Sequence, residues 1–249
     1  MERFLRIILL ATALFYTAGI TAQVKKKQVK KATTKKVKSV IATPDTASLK
    51  PMIQEQFTRV KITTGLGDIV VRLYNKTPKH RDNFIKLVTE HFYDSLLFHR
   101  VVNNFMIQGG DPKSKTAEAG ERLGTGDVGY TIPAEFDSTL YHKKGALCAA
   151  RTNNPEKASS GCQFYIVHGR ISNDGELDNI EKRNGIKYTS AKRMTYKMNG
   201  GTPMLDMNYT VFGEVESGME VVDKIATTAI DGSSRPFTDI RMKMEIVQQ

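Results

Sequence analysis

The sequence predicts a mainly β fold in which short antiparallel strands form a barrel. Runs of alternating apolar and polar residues recur along the chain from about residue 57, and glycine-rich or polar turns separate them. Only two segments outside one inserted region have the spacing of a core helix. With 249 residues, 40% of them hydrophobic, the chain is long enough to bury a sizeable core.

Residues 1–22 have the layout of a secretory signal peptide. Basic residues near the start precede an apolar run over residues 7–20, and small residues up to Ala22 supply a cleavage site. The run is shorter than the roughly 20 residues that span a bilayer. However, lysines 25–27 follow at once, and positive charge at this position opposes translocation. We expect export to the periplasm, with an uncleaved signal that anchors the chain in the membrane as the alternative.

Residues 23–56 are predicted to form a lysine-rich flexible linker. The net charge of +11 is concentrated here, because residues 23–50 hold nine lysines against the single acid Asp45. Such a segment is typical of a solvated, self-repelling tether, and weak contact with anionic surfaces is its functional alternative. The rest of the chain is nearly balanced in charge, so no specific nucleic-acid groove is predicted.

The folded domain is predicted over residues 57–249 and begins with a strand, a turn and a strand. Residues 60–63 and 69–74 alternate in character and flank a glycine-containing turn. Thr77 and Pro78 then supply an N-cap and a first-turn proline for the first helix. The later strands are predicted at residues 97–102, 105–108, 146–150, 163–167, 210–215 and 239–247, and the second core helix at 219–225.

Residues 170–203 form a predicted insertion between two strands. Leu177 and Ile180 lie in a charged stretch that ends at Asn184 and a glycine, and a second stretch contains Met194 and Met198. This pattern predicts a helical hairpin. Each half has too few apolar residues to fold alone, so the hairpin must pack on the barrel.

Three residue patterns suggest other chemistries but lack the context that each chemistry needs. Residues 124–129 match GxGxxG, yet no apolar strand precedes them and no helix follows, so we interpret them as a flexible glycine loop. Asp94, Ser95 and His99 have the residue types of a hydrolase triad, but no GxSxG elbow surrounds the serine. Cys162 could suggest a catalytic thiol, but no surrounding motif supports that role.

The two cysteines, Cys148 and Cys162, cannot form a disulfide framework, and no pattern with zinc-ligand spacing is present. The sequence therefore predicts no metal site.

Residues 97–111 are the most informative stretch. They contain an arginine, two large apolar side chains and an amide, namely Arg100, Phe105, Met106 and Gln108. On a strand, residues two apart share a face, which places Met106 with Gln108 and puts Phe105 opposite unless a bulge intervenes.

The letters FHRVVNNFMIQGGD in this stretch resemble the FHR...FM.QGGD signature of the cyclophilin-type peptidyl-prolyl cis-trans isomerases. The segments ALCAAR and SSGCQFYI, within residues 146–166, resemble a second block of that family, and LDMNYTVFGEV at residues 205–215 resembles a third. The resemblance covers about residues 58–247.

The resemblance implies a closed eight-stranded antiparallel barrel, capped by two helices and carrying the inserted hairpin. It implies an isomerase that acts on proline-containing polypeptides without a cofactor, and we expect the protein to be a monomer. It assigns the catalytic roles to Arg100 and Gln108. The substrate-binding residues that it implies are Phe105, Met106, Ala150, Arg151, Gln163, Tyr165, Leu205 and Tyr209, with the backbone of Ala150 and Arg151 as a strand edge for the substrate.

The chain departs from the family pattern at three positions of this site. Tyr165 stands where phenylalanine is common, Met204 where many relatives have tryptophan, and Tyr209 where many have histidine. By the same analogy Cys148 and Cys162 lie on neighbouring strands, as a disulfide or as two buried thiols. A module that only docks proline-containing peptides is the rival interpretation, although such a binder would not need the arginine.

Overall fold

The computed structural model describes residues 56–247, so the predicted signal peptide and all but the last residue of the predicted linker lie outside the described residues. This part of the chain contains ten strands and four helices. The helices are α1 (Pro78–Thr89), α2 (Asp174–Asn184), α3 (Ser190–Met198) and α4 (Met219–Ala226). The strands are β1 (Arg59–Thr64), β2 (Gly67–Leu73), β3 (Phe98–Val102), β4 (Met106–Gly109), β5 (Thr131–Ile132), β6 (Ala146–Ala149), β7 (Ser159–Ser160), β8 (Phe164–Val167), β9 (Val211–Ser217) and β10 (Met242–Val247).

Eight of these strands form one antiparallel sheet, in the order β10-β1-β2-β9-β6-β8-β4-β3. They correspond to the eight strands that the alternating pattern predicts, so the mainly β fold is confirmed. The remaining two, β5 and β7, are two residues long and pair only with each other. No helix within residues 56–247 is long and apolar enough to cross a membrane.

The two end strands of the large sheet, β3 and β10, form no ladder with each other. They meet only where Leu97 bridges Arg241, just outside each strand, and through backbone bonds such as Phe98 N to Ile240 O at 3.0 Å. Farther along β3, the edge of this strand bonds the loop before β10, since the N–H of Val101 donates to the carbonyl of Ser234. At the level of strand ladders the sheet is an open half-barrel, and the complete closure that the resemblance implies is not confirmed.

Helices α1 and α4 pack on the sheet and complete its core. Phe84 of α1 contacts the rings of Tyr93, Phe164 and Phe212 at centroid distances of 5.2 to 5.7 Å. Val222 of α4 is fully buried in the same core. The aromatic edge-to-face packing is worth more than the buried area alone.

Helix α1 begins at Pro78 and has Thr77 as its N-cap residue, as predicted, but the cap is not made by the threonine side chain. The Thr77 side chain makes no capping bond. Instead the Glu135 carboxylate accepts from the backbone N–H groups of Lys79 and His80, at 3.1 and 3.0 Å. A carboxylate supplied from 55 residues away therefore satisfies the helix N-terminus.

The predicted hairpin is present as α2 and α3. Asn173 and Glu176 cap α2 reciprocally, and Gly185 ends it in the left-handed conformation at φ 64°. The small core of the hairpin contains Leu177, Ile180, Tyr188 and Tyr196. The two methionines that suggested its apolar face are exposed, Met194 by 57% and Met198 by 70%. Tyrosine rings fill that core instead.

Candidate active site

The site lies on one face of the sheet, where four strands place side chains in a row. Arg100 on β3 pairs with Gln108 on β4, Gln108 pairs with Tyr165 on β8, and Tyr165 pairs with Cys148 on β6. Directly paired residues of neighbouring strands point to the same face. The register therefore brings together residues that are up to 65 positions apart in the chain.

A cavity of about 110 Å³ opens on this face. Its lining residues are Arg100, Phe105, Met106, Gln108, Ala150, Arg151, Tyr165, Leu205 and Tyr209. Nine of the ten predicted site residues are thus brought to one place. The walls are mainly apolar and aromatic, and the exposed Arg100 supplies a charged edge.

Phe105 reaches the cavity because it lies in the turn between β3 and β4 and not on a strand. Asn104 has a positive φ of 60°, and its N–H donates to Nδ1 of His168 at 2.9 Å. The carbonyl of Phe105 accepts from the N–H groups of His168 and Gly169. This turn frees Phe105 from strand alternation and lets it pack beside Met106.

A chain of side-chain amides orients the polar edge of the cavity. Nη1 of Arg100 donates to Oε1 of Gln108 at 3.2 Å, and Nε2 of Gln108 donates to Oε1 of Gln163 at 3.0 Å. Nε2 of Gln163 in turn donates to the carbonyl of Gly126 at 2.7 Å. Gln163 is buried outside the cavity, and both ends of its amide are occupied. It orients Gln108.

The glycine loop at residues 124–129 is held in place by the Asp111 carboxylate. Oδ2 of Asp111 accepts from the N–H groups of Gly124 and Gly126, at 2.5 and 3.2 Å. A Cβ atom on Gly126 would lie only 2.0 Å from Oδ1 of Asp111, so only glycine fits there. The prediction of a flexible loop missed this anchor, because a composition pattern does not show which distant carboxylate binds a backbone.

Arg151 and Tyr209 form one wall of the cavity together. The Arg151 guanidinium lies 4.7 Å from the centroid of the Tyr209 ring, and its Nε donates to the carbonyl of Asn208 at 3.0 Å. The Tyr209 ring meets Tyr165 edge to face at 6.0 Å. Sequence analysis missed this stacking, since the two residues are 58 positions apart.

The backbone of Ala150 is already used within the protein. Its N–H donates to the carbonyl of Gln163 at 2.9 Å, and its carbonyl accepts from the N–H of Ser160 at 2.8 Å. The backbone N–H and carbonyl of Ala150, which were expected to bind the substrate backbone, are therefore already bonded within the protein. Ala150 still lines the cavity.

The other candidate chemistries do not form sites. Both ring nitrogens of His99 are buried and bond neither Asp94 nor Ser95, so these three residues form no triad. Burial lowers the pKa of His99 to about 4. Cys148 lies on β6, whereas Cys162 lies just before β8 and not on a strand. Both are free and buried, which is the second of the two expected states, and burial raises the pKa of Cys162 to about 11. Within residues 56–247, no three His, Cys, Asp or Glu side chains come together where they could hold a metal ion.

The chain belongs to the cyclophilin-type family of peptidyl-prolyl cis-trans isomerases. The family model described as "Cyclophilin type peptidyl-prolyl cis-trans isomerase/CLD" matches residues 59–246. The chain is 33% identical over 189 residues to a protein of Staphylococcus haemolyticus named as a peptidyl-prolyl cis-trans isomerase, which covers 76% of this chain and 90% of the relative. It is 35% identical over 188 residues to a Streptococcus pyogenes protein named as a bifunctional phosphatase and peptidyl-prolyl cis-trans isomerase. That match covers 73% of this chain and 37% of the longer relative.

The fold is similar to solved cyclophilin structures. The crystal structure of a cyclophilin-type isomerase from Cryptosporidium parvum superposes with a TM-score of 0.57 at 23% identity, over 78% of this chain and 99% of that one. A second crystal structure of that protein, in the presence of the dipeptide Ala-Pro, gives a TM-score of 0.55. This similarity supports the cyclophilin-like fold.

Proposed function

We propose that the cavity binds the proline ring of an Xaa-Pro segment and that Arg100 catalyses rotation about the preceding peptide bond. The observation that carries this proposal is a guanidinium at the edge of a small cavity walled by Phe105, Met106 and Leu205. An apolar cavity of about 150 Å³ takes up benzene in another protein, so a cavity of about 110 Å³ is on the scale of a five-membered ring.

The chemistry of the reaction explains why an arginine suits this place. Rotation about a peptide bond meets a barrier of about 18 to 20 kcal/mol, because the nitrogen lone pair is delocalised into the carbonyl. For Xaa-Pro the cis and trans forms differ by only about 0.5 to 1 kcal/mol, so the enzyme needs only to lower the barrier. In the twisted transition state the lone pair returns to nitrogen. A donor held over that nitrogen stabilises the twisted form more than either planar form.

Arg100 alone does not account for a large acceleration. A hydrogen bond to a charged group is worth about 1.5 to 3 kcal/mol, whereas a thousandfold acceleration needs about 4 kcal/mol. We assign the remainder to a site whose groups are already oriented before substrate arrives. The amide chain through Gln108 and Gln163 holds the guanidinium and the Gln108 amide in fixed directions.

We further propose that the substrates are unfolded or partly folded polypeptides exported by the same cell, and that the enzyme assists their folding as a monomer. The layout of residues 1–22 as a signal peptide supports this. Slow Xaa-Pro isomerisation limits the folding of many chains, which gives such an enzyme a use wherever chains fold after export. The lysine-rich linker would then hold the domain in weak contact with anionic surfaces.

The test of the catalytic proposal is cis-to-trans exchange of an Ala-Xaa-Pro-Phe peptide by the full chain and by Arg100→Ala. We expect rapid exchange by the parent and a kcat/KM lower by about tenfold or more in the variant, because the charge-assisted interaction in the transition state is lost. Arg59→Ala is the matched control, since Arg59 lies on β1 and pairs with Glu216 away from the cavity.

Two results would contradict the proposal. Equal activity of Arg100→Ala and the parent would show that the arginine does not act on the reaction. A folded parent without exchange activity would favour the module that only docks proline-containing peptides.

A further inference from the structure

A buried chain of hydrogen bonds joins the cavity wall to the inserted hairpin. The Tyr165 hydroxyl lies 3.0 Å from Nε2 of His142, and Nδ1 of His142 lies 2.7 Å from Oδ1 of Asp206. The other carboxylate oxygen of Asp206 accepts from the hydroxyls of Tyr188 at 2.9 Å and Tyr196 at 2.6 Å. All five side chains are buried.

The protonation states along this chain follow from its partners. Burial by itself would raise the pKa of Asp206, but hydrogen bonds from His142 and Tyr196 outweigh burial and hold that pKa below its usual range. An ionised carboxylate only accepts, so Nδ1 of His142 carries the proton. Nε2 of His142 then faces the Tyr165 hydroxyl at 3.0 Å.

Tyr165 needs this partner because its phenol is buried at the wall of the cavity. A buried hydroxyl without a partner is unfavourable, and a ring whose hydroxyl is bonded keeps one orientation. The ring centroids of His142 and Tyr165 lie 6.1 Å apart with an interplanar angle of 14°, so the rings are nearly parallel and meet edge to edge at this hydrogen bond. His142 therefore holds Tyr165 through its hydroxyl.

The hairpin also holds the segment that carries Leu205. The Tyr188 hydroxyl lies 3.1 Å from the carbonyl of Pro203, and Nδ2 of Asn184 donates to the carbonyl of Met204 at 3.3 Å. Pro203–Leu205 is a short 3-10 helix directly before Asp206. The helices α2 and α3 contribute no side chain to the cavity, yet they contact the residues next to two of its walls.

We propose that Asp206 is a positioning residue of the isomerase site. Two tyrosines of the hairpin fix its carboxylate, the carboxylate fixes the His142 ring, and His142 fixes Tyr165 in the cavity wall. Asp206 does not touch substrate and acts through Tyr165. This inference rests on the proposed role of the cavity as the proline site.

The test is a double-mutant cycle with Asp206→Asn and Tyr165→Phe, measured as kcat/KM for the Ala-Xaa-Pro-Phe peptide with the full chain. Asparagine has the size of aspartate, but its amide donates where one acceptor oxygen stood. We expect Asp206→Asn to lower kcat/KM by about tenfold in the parent. We expect a further change of less than about twofold when Tyr165 is already phenylalanine, because the hydroxyl through which Asp206 acts is then absent.

If Asp206→Asn does not fold, a second set of variants with smaller changes tests the same proposal. Tyr188→Phe combined with Tyr196→Phe removes both hairpin donors to Asp206 and should lower kcat/KM by about fivefold. Tyr141→Phe is the matched control, since its hydroxyl bonds only Oγ1 of Thr195 at 3.2 Å at the same hairpin contact. It should leave activity unchanged.

A spectroscopic readout separates positioning from general stability. Nitrogen-15 NMR of labelled histidine should show a proton on Nδ1 of His142, and the signals of this ring should shift in Asp206→Asn, because the negative charge beside Nδ1 is lost. Equal effects of Asp206→Asn in both backgrounds, or a His142 ring without a proton on Nδ1, would overturn the positioning role alone. A folded parent without isomerase activity would overturn the proposed function and, with it, this role.

Discussion

His99 is a side chain that the fold keeps neutral. It lies in β3 beside Arg100 but is buried, and burial lowers its pKa from 6.5 to about 4, against an opposing effect of Asp111. Between these two values the unfolded chain binds a proton that the folded chain does not. Stability is therefore fully present above about pH 6.5 and declines as the pH falls towards about 4.

We predict that unfolding of His99→Gln takes up one proton fewer than unfolding of the parent between about pH 6.5 and 4. The shift of His99 corresponds to about 3 kcal/mol between pH 7 and pH 4, so the free energy of unfolding should fall less steeply with acid in the variant. The measurement is urea unfolding at a series of pH values. Burial also lowers the pKa of His80 and His168, and their contribution to the slope remains.

The exposed His91 is the matched control for this experiment. His91→Gln should leave the slope as it is in the parent. A slope that is equal in His99→Gln and the parent would show that His99 does not titrate differently in the folded and unfolded states.

The hairpin of α2 and α3 depends on very few buried side chains. Its core has four buried residues, and Leu177 is fully buried among them. Ion pairs add to the contact between the two helices, since Arg193 lies 3.1 Å from Asp174 and 2.8 Å from Asp178, but exposed pairs contribute little. Because the apolar core is small, removal of one large side chain should loosen the whole hairpin.

We predict that Leu177→Ala destabilises the hairpin by about 2 to 5 kcal/mol. Hydrogen exchange measured by mass spectrometry should become faster over α2 and α3 and change little in β1 and β2. Met198→Ala is the control, because Met198 is 70% exposed and its truncation leaves no cavity. Unchanged exchange in α2 and α3 would contradict the view that Leu177 holds the hairpin together.

At the scale of the whole molecule, the linker and the domain differ in net charge. The lysines of residues 23–50 account for most of the net charge of +11, while the domain pairs many of its charges, as Arg72 and Lys143 do with Glu214. Expressed in a Gram-negative bacterium, the chain should reach the periplasm and begin at Gln23. Intact-mass measurement of the periplasmic fraction checks this expectation.

Leu9→Asp is the control for export, because a charge inside the apolar run should block it. Recovery of the parent in the membrane with Met1 retained would support the uncleaved anchor. Recovery of the parent in the cytoplasm would contradict export.

The sequence by itself determined the strands and the identity of the family. Alternation and helical spacing are local properties, so the eight strands of the sheet and both hairpin helices could be predicted near their observed positions. The motif around Arg100 and Gln108 carried the family resemblance, and both of these residues line the cavity.

Only the tertiary structure decided how the site residues are held. Phe105 joins the cavity through a turn, Gln163 orients Gln108 from outside it, and Asp206 reaches Tyr165 through His142. These contacts join residues 23 to 64 positions apart. They depend on strand order and register, which a local pattern does not contain, because the same alternation is compatible with many pairings.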